Sequence, residues 1–281
     1  MSVDMEGISG LVRWADVSPN GIDFGRNRDL MTLDANAAVE GAFAGGATEV
    51  VVEENHGVED LCVLNMDLID PRCRVIRGAG RPGATTMAGL DSGVGVVLLV
   101  GHHARAGSFP GVMAHTISYG GFKLVHLGGD PIGEADFFAL RAAELEVPVG
   151  MVSGDQVVAA QVAERCPWAG TVIVKQALGN QSADCIPPAR ARDMITRGAE
   201  RGVQRASLGE LEVVQGVVGP YEFEVQLRKP VGEVMRANLD TLEGFEIPAE
   251  SLVRVSAPNM DLGFRRVAYL GYADRPGVTR H

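Results

Sequence analysis

Length, composition and charge exclude several classes of protein. The chain has 281 residues, of which 46% are hydrophobic, enough for the core of one large domain or two smaller ones. Its 25 basic and 36 acidic residues give a formal net charge of −11, so we expect no nucleic-acid partner. The longest apolar stretch, residues 93–101, is too short to span a membrane, and no signal-peptide pattern opens the chain. These features predict a cytoplasmic protein without a membrane partner.

Apolar, β-branched runs alternate with helical patterns through the first two thirds of the chain, which is typical of a parallel sheet. The predicted strands lie near 1–5, 48–53, 73–77, 94–100, 122–127, 148–152 and 170–175. The predicted helices lie near 28–44, 134–145 and 155–165. A turn rich in Gly and Asp predicts a hairpin over 121–133 with a short return strand.

The pattern changes after about residue 180. Pro187 and Pro188 open an amphipathic helix that reaches about Gly202. Further elements are predicted as strands near 221–228 and 251–256 and helices near 230–240 and 258–270. We therefore predict an α/β fold in which a mostly parallel sheet flanked by helices (1–180) precedes a second, smaller α/β domain (181–281), with a boundary near 176–190.

The four cysteines, Cys62, Cys73, Cys166 and Cys185, show no CxxC spacing. This pattern predicts reduced, mostly buried thiols rather than a disulfide framework or a cysteine zinc site. Any metal would therefore have to use histidine and carboxylate ligands.

Asp4 and Glu6 stand two positions apart at the end of the first predicted strand, so both side chains point to one face. Two adjacent carboxylates repel each other unless a cation lies between them, which indicates a divalent metal. His56 follows the second predicted strand, and His102 and His103 follow the fourth. Because the carboxyl ends of parallel strands share one edge, these residues are expected to converge there.

Spacing leaves alternatives open at each histidine. His56 alone fits a polar loop residue that caps a helix, and only its convergence with the carboxylates favours a ligand. Adjacent residues point to opposite sides, so at most one of His102 and His103 faces the site, and His103 is favoured only by lying deeper in the turn. His115, outside any metal-site spacing, fits either acid/base work beside a metal or a hydrogen bond in the core.

Glu134 opens a predicted helix, and on spacing alone a favourable charge in the first helical turn is the better explanation, with Asp136 as an exposed competitor. Arg105 or Lys175 could hold a substrate carboxylate, although a surface ion pair suits Arg105 better. Ser92, Ser118 and Ser153 lack the G-x-S-x-G spacing of a serine nucleophile.

Three carboxylates and two histidines suit Zn²⁺ first, with Mn²⁺ or Co²⁺ possible. Two metals fit this donor set better than one, because a bridging Asp4 would leave open positions for a shared hydroxide. This arrangement is typical of hydrolases.

Five segments together resemble one family. They are SVDMEG (2–7), GHHARAG (101–107), PGVMAHT (110–116) and VKQ (174–176), with VGE (231–233) before a helix. In this order they resemble the zinc-dependent D-aminopeptidases of the M55 peptidase family, over nearly the whole chain and most strongly in 1–180. The resemblance implies two Zn²⁺ ions per subunit with His115 as the catalytic histidine. It implies as ligands Asp4, Glu6, His56, His103 and Glu134, of which Asp4 bridges the two ions.

The resemblance further implies a two-domain subunit, a ring-like homodecamer with an internal channel, and release of N-terminal D-residues such as D-Ala from short peptides. Relatives carry several residues before the SxDxEG motif, whereas only Met1 precedes it here, so we expect missing upstream residues or a short first strand. Relatives also carry Asp-Ser where this chain has Glu54 and Asn55. The alternatives are a dinuclear hydrolase of another amide or ester, and an inactive oligomeric binding protein. The complete ligand set favours an enzyme.

Overall fold

The computed structural model describes residues 1–81, 87–216 and 218–273. Its strands are β1 (Ser2–Val3), β2 (Val51–Glu54), β3 (Arg74–Ile76), β4 (Val97–Val100), β5 (Phe122–Leu127), β6 (Asp130–Pro131), β7 (Val149–Asp155), β8 (Gly170–Gly179), β9 (Ser182–Cys185), β10 (Tyr221–Leu227), β11 (Phe245–Ala249) and β12 (Leu252–Ala257). Its α-helices are α1 (Trp14–Val17), α2 (Phe24–Ala44), α3 (Glu134–Glu144), α4 (Gln156–Arg165), α5 (Pro188–Ser207), α6 (Glu233–Leu239) and α7 (Met260–Leu270).

The first sheet has seven strands in the order β3-β2-β1-β4-β7-β8-β9. All of its pairs are parallel except β8 with β9. Every residue of β4 and of β7 is buried, as expected for strands covered on both faces. One face packs on α2 and α5, and the other packs on α3 and α4. This confirms the predicted α/β class with a mostly parallel sheet.

The second sheet is antiparallel, in the order β11-β12-β10-β5-β6. In β10 the buried residues Tyr221, Phe223, Val225 and Leu227 alternate with more exposed neighbours, the period of a half-buried strand. Its inner face packs on α6 and α7 and on Phe137 and Leu140 of α3. The predicted hairpin is present as β5 and β6, but its strands belong to this second sheet.

The chain therefore leaves the first sheet after β4, passes through the second sheet, and returns at β7, which is the neighbour of β4. We refer to residues 101–148 as the excursion. Helix α5, which follows residue 180 in the chain, packs against α2, one of the helices that cover the first sheet. Each sheet contains strands from both 1–180 and 181–281. The division of the chain into two domains at this point stays a prediction.

Some element boundaries differ from the sequence prediction. Strand β1 has two residues rather than five, because the chain turns away after Asp4 and Gly7 donates its backbone N–H to the carbonyl of Gly101. The short strands β9 and β11 were not predicted. All four cysteines are unpaired, and of these only Cys166 is buried while the other three are half-buried. In the described residues, no helix combines the length and apolar character needed to span a bilayer.

Candidate metal centre

The carboxyl ends of three neighbouring strands bring the predicted ligands together. Asp4 and Glu6 follow β1, His56 follows β2 and His103 follows β4, and these strands are adjacent in the order β2-β1-β4. The excursion supplies His115 and Glu134. Each of the six side chains is at least nine-tenths buried. The sheet-edge rule thus accounts for four of them, including His103 at the start of the excursion, and the other two lie further along the excursion.

Two glycines allow the loops after β1 and β4 to approach. A Cβ on Gly7 would lie 2.0 Å from the carbonyl oxygen of His102, which no side chain could tolerate. Gly101 has a φ of +69°, and its Cβ would lie 2.4 Å from the carbonyl oxygen of Asp4. The backbones of the two ligand-bearing loops are therefore in direct contact.

His56 faces two carboxylates through one ring nitrogen. Its Nδ1 lies 3.0 Å from Glu6 Oε2 and 3.6 Å from Asp4 Oδ1. Its Nε2 lies 2.9 Å from the carbonyl oxygen of Val17, which can only accept, so Nε2 carries the proton. In the neutral ring, the lone pair of Nδ1 is thereby directed at the carboxylates, as in a metal-binding imidazole whose second nitrogen is fixed by a carbonyl.

His103 repeats this arrangement with the two nitrogens exchanged. Its Nδ1 donates to the carbonyl oxygen of Ala104 at 3.0 Å. Its Nε2 lies 3.2 Å from Glu134 Oε1 and 3.4 Å from Asp4 Oδ2, and it is buried without a hydrogen-bond partner among the described residues. A buried nitrogen of this kind, surrounded by carboxylate oxygens, fits a cation ligand.

Asp4 lies between the two imidazoles, with Oδ1 toward His56 and Oδ2 toward His103. Asp4 Oδ1 also accepts the backbone N–H of Met5 at 2.7 Å, which fixes the rotation of the carboxylate. A carboxylate that presents a separate oxygen to each of two imidazoles suits a bridging ligand.

The cluster concentrates positive charge on its histidines. Burial disfavours the ionised form of Asp4, yet His56 and His103 hold the pKa of this carboxyl well below its usual range. Burial also opposes a charge on His103, but Glu134 and Asp4 raise its pKa to about 10. The pKa of His56 is likewise raised well above its usual value, against burial, by Glu6 and Asp4. These carboxylates require positive charge on or between the imidazoles.

His115 occupies a different position from the other two histidines. Its ring stacks on His103, with centroids 4.0 Å apart and an interplanar angle of 14°. Its Nδ1 donates to the carbonyl oxygen of Met113 at 2.9 Å, and its Nε2 lies 3.9 Å from both Glu6 Oε1 and Glu134 Oε1. Burial and the charge of His103 lower its pKa. His115 is therefore neutral at pH 7, with a free Nε2 beside the cluster.

Strained backbone holds the loop that carries His115. Met113 and Ile117 have φ angles of +49° and +61°, which cost on the order of 1–3 kcal/mol each for residues other than glycine. The N–H of Met113 donates to the carbonyl oxygen of Asn180 at 2.7 Å, and that of Ile117 donates to Glu134 Oε1 at 2.7 Å. The second bond ties the position of Glu134 to the conformation of the His115 loop.

Two neighbours from the sequence analysis lie outside the cluster. His102 Nε2 lies 3.0 Å from Ser2 Oγ and its ring packs on Phe138, so of the two adjacent histidines only His103 joins the carboxylates. The expectation that Asp136 is exposed is wrong. Asp136 is buried, accepts the N–H of Gly133 at 2.8 Å and pairs with Arg165, because it caps the start of α3.

The proposed substrate-binding cations also lie elsewhere. Arg105 is 3.7 Å from the exposed Glu164 of α4, which agrees with a surface ion pair. Lys175 is buried, and its ammonium binds three backbone carbonyls, so the idea that it holds a substrate carboxylate is wrong. Sequence spacing gave no signal for this contact, since Lys175 and the loop after β1 are more than 160 residues apart.

Two aromatic residues beside His115 were also missed. The indole of Trp14 meets the His115 ring edge-on, with centroids 5.3 Å apart. The ring of Tyr119 lies 4.1 Å from that of Trp14. An aromatic residue in a loop is common, so neither position stands out in the sequence alone.

The donor atoms meet the spatial requirement of a metal site. Ligand atoms of Asp4, Glu6 and His103 lie within 4.8 Å of one another, and so do those of His103, His115 and Glu134. Imidazole nitrogens and carboxylate oxygens without thiolates suit Zn²⁺. The unpartnered Nε2 of His103 is the observation on which this fit rests.

Comparison with known proteins gives consistent results. The profile of the M55 peptidase family, described as D-aminopeptidase, matches residues 1–268. The D-aminopeptidase of Bacillus subtilis strain 168 is 36% identical over 196 residues, or 70% of each chain. The solved structure of the Zn-dependent D-aminopeptidase DppA from Bacillus subtilis, described as a self-compartmentalizing protease, superposes with a TM-score of 0.87 at 27% identity, covering 99% of this chain and 100% of that one. The chain therefore belongs to the M55 peptidase family of D-aminopeptidases.

Proposed function

We propose that the protein is a zinc-dependent aminopeptidase that releases N-terminal D-residues, such as D-Ala, from short peptides. Two Zn²⁺ ions per subunit would be held by Asp4, Glu6, His56, His103 and Glu134, with Asp4 as the bridging ligand. The observation that carries the proposal is the position of Asp4, whose two oxygens each face one imidazole nitrogen of a ring whose other nitrogen is fixed by a backbone carbonyl.

When bound, zinc would polarise the substrate carbonyl and lower the pKa of water toward neutrality. Asp4, Glu6 and Glu134 would supply the negative charge that holds the Zn²⁺ ions, and all three are buried from bulk water. Burial strengthens their electrostatic interactions because the local dielectric is low.

His115 serves as the catalytic residue that moves protons. Its Nδ1 is fixed to the carbonyl oxygen of Met113, so the proton is taken up and released at Nε2, which faces the cluster. The lowered pKa keeps this nitrogen unprotonated at neutral pH and ready to accept a proton. Nε2 would take this proton from the water that attacks the carbonyl carbon, and would deliver it to the departing amine as the peptide C–N bond breaks.

A homo-oligomer is also proposed, because the structural relative is described as a self-compartmentalizing protease. The homodecamer and the cytoplasmic location stay predictions from the sequence. In such an assembly, short peptides rather than folded proteins would reach the metal centre.

The test compares substrates on the purified, zinc-loaded protein. D-Ala-D-Ala and D-Ala p-nitroanilide should be hydrolysed much faster than their L-Ala counterparts, and a phosphate ester should not be hydrolysed. The variant His126→Ala should show the same substrate preference and serves as a control, because it removes a histidine of β5 in the second sheet. Preference for the L-substrates or for the phosphate ester would identify a different dinuclear hydrolase. Two bound zinc ions without turnover of any substrate would indicate a binding protein.

A further inference from the structure

Lys175 is a buried cation that reaches the segment carrying Glu6. Only 1% of its surface is exposed. Its ammonium donates to the carbonyl oxygens of Glu6 at 2.6 Å, Ile8 at 3.0 Å and Leu11 at 2.6 Å. An ammonium has three donors and no acceptor, so these carbonyls satisfy it completely. Lys175 therefore has no donor left for a substrate, and its hydrogen bonds reach the segment that carries Glu6 through the backbone.

The lysine and this segment, residues 6–11, belong to strands that are not neighbours. Lys175 lies in β8 and the segment follows β1, with β4 and β7 between them in the sheet. The segment crosses the end of β4, where the N–H of Gly7 donates to the carbonyl oxygen of Gly101 at 2.7 Å. Beyond this point no strand pairing fixes the segment, so side chains must anchor it.

Asp4 and Glu6 differ in how their backbones are held. The N–H of Asp4 continues the ladder between β1 and β4 and donates to the carbonyl oxygen of Val100 at 2.9 Å. The carbonyl of Glu6 is bound instead by Lys175, while the Glu6 carboxylate lies 3.0 Å from His56 Nδ1. The sheet therefore positions Asp4, whereas the ammonium of Lys175 positions Glu6.

We propose that Lys175 is a positioning residue that fixes Glu6 as a ligand of the zinc shared with His56. It has no comparable effect on the zinc held by His103 and Glu134, because the hydrogen bonds of its ammonium within the described residues go to Glu6, Ile8 and Leu11. The inference rests on the ligand set proposed above.

Zinc titration of the metal-free, full-length Lys175→Met variant tests this proposal. Methionine keeps the length of the side chain but donates no hydrogen bond. With ZnCl2 as the only probe, calorimetry should show one equivalent bound as in the wild type. The second Kd should rise about tenfold to a hundredfold, the usual effect of removing a group that orients a metal ligand. Glu6→Gln should weaken the same equivalent.

Ser9→Ala is the matched control, because Ser9 lies in the same buried segment. Its Oγ donates to Asp34 Oδ1 of α2 at 3.0 Å, and the backbone N–H of Ser9 also binds Asp34. This variant loses one anchor of the segment without touching Glu6 or Lys175. It should bind both zinc equivalents with wild-type Kd values.

The possible outcomes separate the two proposals. A folded Lys175→Met variant with two wild-type zinc equivalents, or with both weakened equally, overturns the role assigned to Lys175. If far-UV circular dichroism shows that this variant does not fold, Lys175→Gln is titrated instead, and failure of both to fold means that the lysine serves the fold as a whole. Fewer than two equivalents in the wild type overturns the ligand assignment itself.

Discussion

The two sheets of the molecule differ in the kind of side chain that they bury. At its carboxyl edge the first sheet buries several ionisable groups, among them the six side chains of the candidate metal centre and the ammonium of Lys175. The core of the second sheet is apolar and centred on Phe223, Val225, Val253 and Val255. Burying ionisable groups disfavours folding unless partners compensate, so the first region accepts a stability penalty that the second avoids. The comparison indicates that the first sheet supplies the chemistry and the second supplies stability and shape.

The largest effect is expected at Asp4, the residue that we propose to bridge the two zinc ions. Asp4→Ala should reduce bound zinc from two ions per chain toward none, because each half loses a ligand, and hydrolysis should become undetectable. Metal analysis after purification without chelators measures the zinc content. Asp261→Ala is the control, since Asp261 is a buried carboxylate of α7 paired with Arg265. A full zinc complement in Asp4→Ala would show that Asp4 is not the bridge.

Removing the imidazole of His115, the proposed catalytic residue, should separate chemistry from metal binding. His115→Ala should lower kcat by about 10²- to 10⁴-fold, the usual contribution of general acid or base catalysis, while zinc content stays unchanged. Initial rates with D-Ala p-nitroanilide, measured together with zinc content, provide the test. Near-normal turnover in this variant would remove His115 from the mechanism.

A mutation in the second sheet should lower the stability of the protein without changing zinc content or kcat. Phe223→Ala should lower the free energy of unfolding by about 3–5 kcal/mol, because the ring is fully buried against Phe137 and Tyr221. Zinc content and kcat of the folded fraction should not change. Urea unfolding measures the loss, with the exposed neighbour Glu222→Ala as control. If kcat falls in proportion to stability, the division of roles between the sheets is wrong.

The smallest effect concerns protons exchanged at the metal centre. In the metal-free protein His103 has a pKa of about 10, so it is protonated at pH 7 and must lose that proton to bind zinc. Zinc affinity should therefore rise with pH, by about tenfold per pH unit for each displaced proton. Calorimetry in buffers of different ionisation enthalpy measures the protons released.

The same shift has a consequence for stability that can be measured without zinc. Because the folded pKa of His103 lies above its unfolded value of 6.5, the stabilisation is complete below pH 6.5 and disappears as the pH rises through about 10. Urea unfolding of the metal-free protein across this range should show declining stability. A flat profile would mean that the carboxylates do not stabilise the imidazolium.

The sequence predicted the fold class because apolar, β-branched runs mark buried parallel strands such as β4 and β7. Membership of β5 in the second sheet could not be predicted. Its partner β10 lies about 100 residues away, and local periodicity contains no information on pairing across that distance. For the same reason, the boundary placed near 180 does not follow the two sheets.

The candidate site was predictable in part. The rule that ligands gather at the carboxyl ends of parallel strands was sufficient to group Asp4, Glu6 and His56. Spacing could not choose between His102 and His103, since the choice depends on the Gly101 backbone at a φ of +69°. The burial of Asp136 was not predicted because it results from capping of α3. The position of Lys175 was not predicted because its partners are distant in the sequence.

The excursion through the second sheet constrains the order in which the site is completed during synthesis. The loop carrying His115 leads into β5, which pairs with β10, a strand made more than 90 residues later. A ribosome-bound chain that ends before β10 therefore has the proposed zinc ligands without the strand that pairs with β5. We expect peptidase activity to arise only after nearly the whole polypeptide has been synthesised.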